Sequence, residues 1–185
     1  MNIEELKQPA GYNLLLKDFE KLFEDKSSNF YINIGMLRTK IIELARKKLL
    51  HIRDKQLKHI IEKYLSAVTD NATCEVINSI SLLLLPFLAS NIPTTRNKNK
   101  DTWKTSKTEV RDGFITQIAS SSDLKSTIAE WVSKLHRFGK SLQPFVVFVG
   151  NINEILESYV IAGDTFYKLD TITVAVDVCY KIIML

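Results

Sequence analysis

The chain has 185 residues, of which 45% are hydrophobic and 25% are charged. This composition supplies enough apolar surface for a folded core and excludes a mostly disordered chain. The length allows one domain or two small ones. The formal net charge of +4 is modest and by itself points to no particular class of partner.

Two features of the sequence bear on the compartment of the protein. Cys74 and Cys179 lie far apart, which predicts two free thiols in a reducing, intracellular compartment, either cytoplasmic or nuclear. The acidic and polar first residues do not match a secretory signal.

The most apolar window, residues 76–92, is shorter than the roughly 20 apolar residues that span a bilayer. We therefore expect no membrane partner, and the window predicts a buried helix.

Apolar residues recur at helical spacing through most of residues 1–90, so this region is predicted to be helical. The last predicted helix of this region begins at a cap formed by Thr69 or Asp70 and runs to about Leu85. Pro86, which lacks a backbone donor, then weakens or ends it. The elements predicted before it are a helix over 11–24, an extended piece over 30–32, and a long helix or a bent hairpin over 37–65.

Residues 91–108 are polar and carry five basic residues against one acidic residue, Asp101. Because few apolar side chains are available to hold this segment against a core, it is predicted to be a linker. It would separate a helical region, residues 1–90, from an α+β region, residues 109–185.

The region after the linker changes from helical to extended patterns. The β-branched and aromatic run between Pro144 and Gly150 is typical of a buried strand, and Gly163-Asp164 suits a hairpin turn. The predicted fold class is therefore α+β, with a C-terminal helical hairpin, a small antiparallel β-meander and a closing apolar helix. The predicted elements are helices over 109–119 and 123–138, strands over 145–149, 158–161 and 165–169, and a last helix from Thr171 or Thr173.

Several segments recur in the same order in one group of proteins. They are LLLLPFL (82–88), DGFI (112–115), SSDL (121–124), LQPFVVFVG (142–150), YVI (159–161) and AVDVCYK (175–181). In these segments the chain resembles a dispersed group of uncharacterised proteins of animal, mainly arthropod, genomes that look derived from mobile elements. The resemblance covers mainly residues 80–185. It implies no catalytic residues, and the zinc-finger-like segments of some members have no counterpart here.

Residues that commonly carry catalysis or bind metals are sparse. His51 and His59 are about two helical turns apart, too far for one tetrahedral site, and the third histidine lies in the other half of the chain. No glycine-rich phosphate loop and no G-x-S-x-G turn is present. The regularly spaced Asp164, Asp170 and Asp177 fall in different predicted elements. We predict no enzyme activity, no cofactor and no metal site.

Basic residues give the strongest functional signal, along residues 38–58 and along residues 96–107. Their charges either keep a surface solvated or contact phosphates, with Trp103 stacking on a base. The candidate nucleic-acid contacts are Arg46, Lys47, Arg53, Arg96, Lys98, Lys100, Trp103, Lys104 and Lys107.

Two functions remain open at this point. The first is a non-enzymatic interaction protein that binds another protein or itself, through an exposed edge strand or through the face of Phe19, Leu22 and Phe23. The alternative is a weak, sequence-independent nucleic-acid binder that uses the 38–58 helix and the 96–107 linker.

Overall fold

The computed structural model describes residues 9–24, 26, 28–89, 94–96 and 102–185, and it confirms the α+β class with a helical N-terminal half. The helices are α1 (Pro9–Leu22), α2 (Asn29–Leu49), α3 (Lys55–Ser66), α4 (Cys74–Leu88), α5 (Lys107–Asp112), α6 (Leu124–Arg137) and α7 (Ile172–Met184). The strands are β1 (Thr94–Arg96), β2 (Thr102–Lys104), β3 (Ile115–Ile118), β4 (Phe145–Asn151), β5 (Glu154–Ala162) and β6 (Thr165–Leu169).

The segment 37–65 contains a bent hairpin, the second of the two predicted alternatives. Helix α3 begins where it does because the Asp54 carboxylate accepts hydrogen bonds from the backbone N–H groups of Gln56 (2.9 Å) and Leu57 (3.1 Å). The extended piece predicted at 30–32 is wrong, since these residues lie inside α2. Phe30 packs against the core one turn before the buried Ile34, so tertiary packing overrides the local β preference.

The predicted start of the fourth helix is also wrong, and of the two roles predicted for Pro86 it does not end the helix. Helix α4 starts at Cys74, because the hydroxyl of Thr73, and not Thr69 or Asp70, accepts a hydrogen bond from the N–H of Val76. Pro86 lies within the helix, which continues to Leu88. A buried helix interior can accommodate the lost backbone hydrogen bond because packing against neighbouring helices compensates for it.

The helix predicted over 109–119 is wrong in its second half. Helix α5 is capped by Ser106, whose hydroxyl accepts a hydrogen bond from the backbone N–H of Glu109 in a capping box, and it ends at Asp112. Strand β3 follows and pairs in parallel with β4, while α6 crosses between them. The predicted helical hairpin is therefore a β-α-β unit, and the sheet is mixed rather than an antiparallel meander.

The four-stranded sheet has the order β3-β4-β5-β6, and its last two pairings are antiparallel as predicted. Along β4, Val146 and Phe148 face the larger hydrophobic cluster that includes α7. Val147 and Val149 face the smaller cluster beneath α6. Because both faces of β4 are buried, its sequence is a continuous apolar run and shows no alternation.

The larger hydrophobic cluster draws residues from α2, α3, α4, β4, β5 and α7, so the two predicted regions share one core. A polar contact also joins them. Glu75 in α4 accepts hydrogen bonds from the N–H (3.1 Å) and hydroxyl (2.6 Å) of Thr173 in α7. Within the predicted linker, β1 and β2 pair in antiparallel fashion, and α5 begins at Lys107.

Candidate functional site

A groove of about 430 Å³ lies between α1, α2, α4 and α7. Its floor and walls are mostly apolar because each of these helices turns an apolar stripe towards the others. Four large apolar side chains at its rim are between 38% and 48% exposed: Leu37, Leu85, Tyr180 and Met184. A groove with exposed apolar residues at its rim is typical of a binding surface.

A buried ion pair lines the groove. Asp177 and Lys181 lie one turn apart on α7, with side chains only 5% and 6% exposed, and the Lys181 ammonium donates to Asp177 Oδ2 at 2.7 Å. The ammonium also lies 5.5 Å from the centre of the Phe19 ring. Burial raises the pKa of Asp177 above its ordinary value, although Lys181 opposes this shift. Asp177 Oδ1 has no hydrogen-bond partner among the described residues.

The face of Phe19, Leu22 and Phe23 is only partly available to a partner. Phe19 is buried, with its ring 4.7 Å from that of the half-buried Phe23. Leu22 remains exposed. Phe19 therefore forms a wall of the groove rather than an outward-facing contact. The sheet edge named as the other candidate surface is formed by β6 and, on the opposite side, by β3.

A second, polar cavity of about 370 Å³ lies between α5 and α6. Lys134 donates to Glu109 Oε1, while Oε2 accepts from the Ser106 N–H at 2.7 Å and from the Trp103 indole at 3.5 Å. Burial acts to raise the pKa of Glu109. The hydrogen bonds from Lys134 and Ser106 have a larger combined effect in the opposite direction, so the pKa lies below its ordinary value. Both oxygens of this carboxylate are therefore occupied.

An arginine stands beside the same cavity. Arg111 forms an ion pair with Asp112 and donates to the Tyr64 hydroxyl at 2.9 Å. Burial raises the pKa of Asp112 more than Arg111 lowers it. The Arg111–Tyr64 hydrogen bond joins α5 to α3, and the Lys134–Glu109 pair joins α5 to α6.

The basic residues predicted to contact nucleic acid fall into separate groups. Arg46 and Lys47 lie near the end of α2, Arg53 lies in the turn before α3, and all three are exposed. Lys104 is also exposed, in β2. Arg96 is in β1, where the structure describes the backbone pairing, whereas Lys98 and Lys100 lie outside the described residues.

Two of the predicted contacts have structural partners instead. Trp103 is half-buried, with its ring 5.2 Å from that of Phe138 and beneath the Lys134 ammonium. Lys107 donates to the carbonyls of Phe87 (2.8 Å) and Ala89 (2.6 Å) at the C-terminal end of α4.

Lys48 of α2 donates to the carbonyl of Leu88 at 3.0 Å. Lys48 from the first basic segment and Lys107 from the second therefore both bind the C-terminal end of α4. The free carbonyls there attract cations. Burial lowers the pKa of Lys107, and the neighbouring Lys48 adds to this effect.

The described part of the chain contains no group of three or more His, Cys, Asp or Glu side chains placed to bind a metal ion. Asp164, Asp170 and Asp177 are not brought together: they lie in the β5–β6 turn, after β6 and in α7. Within the same residues, no helix is long and apolar enough to cross a membrane.

Comparisons of the chain with protein-family models, with curated proteins and with solved structures gave no significant match. The resemblance to mobile-element-derived proteins therefore stays a prediction.

Sequence reasoning missed the groove, although one signal was present. Asp177 and Lys181 are an acid and a base at positions i and i+4 of an otherwise apolar helix. Such a pair on a helix that docks across a sheet is expected to be buried together. The cavity itself has no local signature, because its walls come from four helices that are distant in the chain.

Proposed function

We propose that this protein is a non-enzymatic interaction protein whose groove binds an amphipathic helix of a partner protein. The observation that carries the proposal is the exposed apolar rim around an apolar cavity, formed by Leu37, Leu85, Tyr180 and Met184. Partly exposed apolar side chains around a concave surface favour association, because a partner removes their area from water.

The shape and chemistry of the groove favour a helix as the occupant. Its walls are themselves helices, and a cleft of this kind receives the apolar face of another helix through anchors spaced three or four residues apart. Polar side chains of Lys26, Asn29 and Asn33 lie beside the apolar floor. This arrangement of an apolar centre and a polar margin resembles that of protein interfaces.

Rim variants that introduce a charge test the proposal. A library of displayed amphipathic helical peptides would be selected against the full chain, and the affinity of the selected peptides would be measured by fluorescence anisotropy. Leu37→Asp and Leu85→Asp should each weaken binding about tenfold or more, since each places a charge in a desolvated apolar contact. Leu50→Asp is the matched control, because Leu50 is 80% exposed and does not line the groove.

Peptides that bind all three variants equally well would exclude the groove as their site. Sedimentation equilibrium of the free protein tests a second copy as the occupant. Self-association that Leu85→Asp abolishes and Leu50→Asp leaves intact would assign the groove to a dimer and not to a separate partner.

Nucleic-acid binding is the second candidate, and the exposure of Arg46, Lys47 and Arg53 favours it. Each phosphate contact should add about 0.9 to the slope of log affinity against log salt on duplex DNA. Replacing these three residues with Gln should flatten that slope in anisotropy titrations with labelled DNA. Lys107→Gln is the contrast, because its ammonium already binds carbonyls of α4. A slope unchanged by the triple variant would exclude this surface.

A further inference from the structure

Two tryptophans and a carboxylate surround one ammonium group. The chain has two tryptophans, and the Lys134 ammonium lies 4.9 Å from the ring centre of Trp103 and 5.5 Å from that of Trp131. It also donates to Glu109 Oε1. An ammonium within about 6 Å of an indole centre is attracted by the negative face of the ring. Trp103, Trp131 and Glu109 therefore form an aromatic cage around Lys134.

Two cavities border the aromatic cage. The polar cavity described above, of about 370 Å³, is lined by Glu109, Trp131 and Lys134. A second cavity of about 370 Å³ is lined by all three cage residues and by apolar side chains that include Phe114. Both volumes are within the range of about 300–1,000 Å³ of small-ligand pockets. A ligand whose cationic group enters the cage therefore has space for the rest of its body.

The Lys134 ammonium can leave the cage at low cost. Its side chain is 37% exposed, and a pair of this exposure contributes little to stability. Glu130 is exposed, lies one turn earlier on α6 and lines the same polar cavity. Because side chains four residues apart on a helix are neighbours, Glu130 can pair with Lys134 once it has left the cage.

We propose that the aromatic cage binds a dimethylated ammonium group of a ligand, and that Lys134 fills the cage when the ligand is absent. The ammonium of the ligand replaces that of Lys134, so the net charge inside the cage stays the same. The site is separate from the groove between α1, α2, α4 and α7, and the inference does not depend on the helix-binding function.

Methylation decides whether a ligand can displace Lys134. Lys134 is attached beside the cage, so its effective concentration exceeds that of a free ammonium with the same chemistry. Methyl groups add apolar surface that the two indole rings remove from water, and aromatic cages bind methylated ammonium groups in this way. A dimethylated ammonium on an alkyl chain also retains one N–H, which can donate to Glu109 Oε1 as Lys134 does.

Two amines test the cage in the full chain. N,N-dimethylbutylamine and butylamine are both cations at neutral pH, have the same alkyl chain and differ only in the methyl groups. Tryptophan fluorescence reports binding directly, because both tryptophans of the chain belong to the cage. The dimethylated amine should bind about tenfold more tightly than butylamine.

Variants separate the cage from general attraction of cations. Lys134→Ala removes the attached competitor and should raise the affinity for N,N-dimethylbutylamine about tenfold. Adding Trp131→Leu should lower it again by a similar factor, since one cage wall is lost. Lys140→Ala is the matched control, because it changes the net charge equally at an exposed residue that lines neither cavity. It should leave the affinity unchanged.

Several results would overturn the proposal. They are equal affinities for the two amines, no binding by the unmodified chain, an affinity that Lys134→Ala does not raise, or one that Trp131→Leu does not lower. A tripeptide with a central dimethyl-lysine then identifies the source of the group. Tighter binding of this peptide than of the free amine would indicate a methylated protein as the ligand, and equal binding a small amine. Both results would support the cage.

Discussion

Two lysine–carboxylate pairs, in two regions of the molecule, differ in how completely the carboxylate is satisfied. Asp177 pairs with Lys181 on α7 inside an apolar groove, and one of its oxygens has no partner among the described residues. Glu109 pairs with Lys134 beside a polar cavity, and both of its oxygens accept hydrogen bonds. Hydrogen bonding from the described residues is therefore incomplete at the first pair and complete at the second.

The pKa shifts of the two carboxyl groups follow this difference. Burial dominates at Asp177 and raises its pKa, because the one lysine does not compensate for the solvation that the buried carboxylate loses. At Glu109, burial acts in the same direction, but the hydrogen bonds from Lys134 and Ser106 outweigh it and lower the pKa. The number of hydrogen bonds that each carboxylate accepts therefore decides the direction of its shift.

The largest expected effect comes from removing the lysine of each pair. Lys181→Ala should lower the free energy of unfolding by about 3–5 kcal/mol, since it leaves a buried carboxylate without its partner. Lys134→Ala should cost about 1 kcal/mol or less, because that pair is partly exposed. Urea denaturation of the two variants measures both changes. Equal losses would mean that burial does not distinguish the two pairs.

A smaller effect should appear as opposite pH dependences of the free energy of unfolding. Folded Asp177 holds its proton more tightly than the unfolded chain. Its contribution to stability should therefore fall as the pH rises above the ordinary pKa of 3.8. Folded Glu109 holds its proton less tightly, so its contribution should be complete above the ordinary pKa of 4.5 and be lost as the pH falls below it.

Urea denaturation between about pH 3 and pH 6 measures both pH dependences. The unmodified chain is compared with Glu109→Gln for one pair, and with Asp177→Leu plus Lys181→Met for the other. The two stability differences should change with pH in opposite directions. If both stability differences changed with pH in the same direction, the two carboxyl groups would not differ in the way that their hydrogen bonds indicate.

Most helices and three of the four main strands could be predicted from the sequence, because their periodicity is local. The hairpin turn at Gly163 is such a case, where a positive φ of 59° suits glycine. Strand β3 could not be predicted, since Ile115 and Ile118 fit either a helix or a strand. Only pairing with β4, about 30 residues further on, selects the strand.

The candidate site was less predictable than the fold. The exposure of Arg46, Lys47 and Arg53 agrees with their placement beside an apolar stripe. The role of Lys107 had no signal in the sequence, because a linker lysine and a lysine that binds helix-end carbonyls look alike. Its partners, Phe87 and Ala89, are 20 and 18 residues away.

By itself, the sequence determined the α+β class, the helical N-terminal half and the absence of familiar catalytic motifs, since these depend on residue types and short spacings. Only the tertiary structure decided that both halves share one core, that β3 is parallel to β4, and that a groove encloses the Asp177–Lys181 pair. Each of these depends on contacts between distant segments, such as the bond between Glu75 and Thr173, 98 residues apart. Local periodicity carries no information about which distant surfaces meet, because burial is decided by the partner as much as by the residue itself.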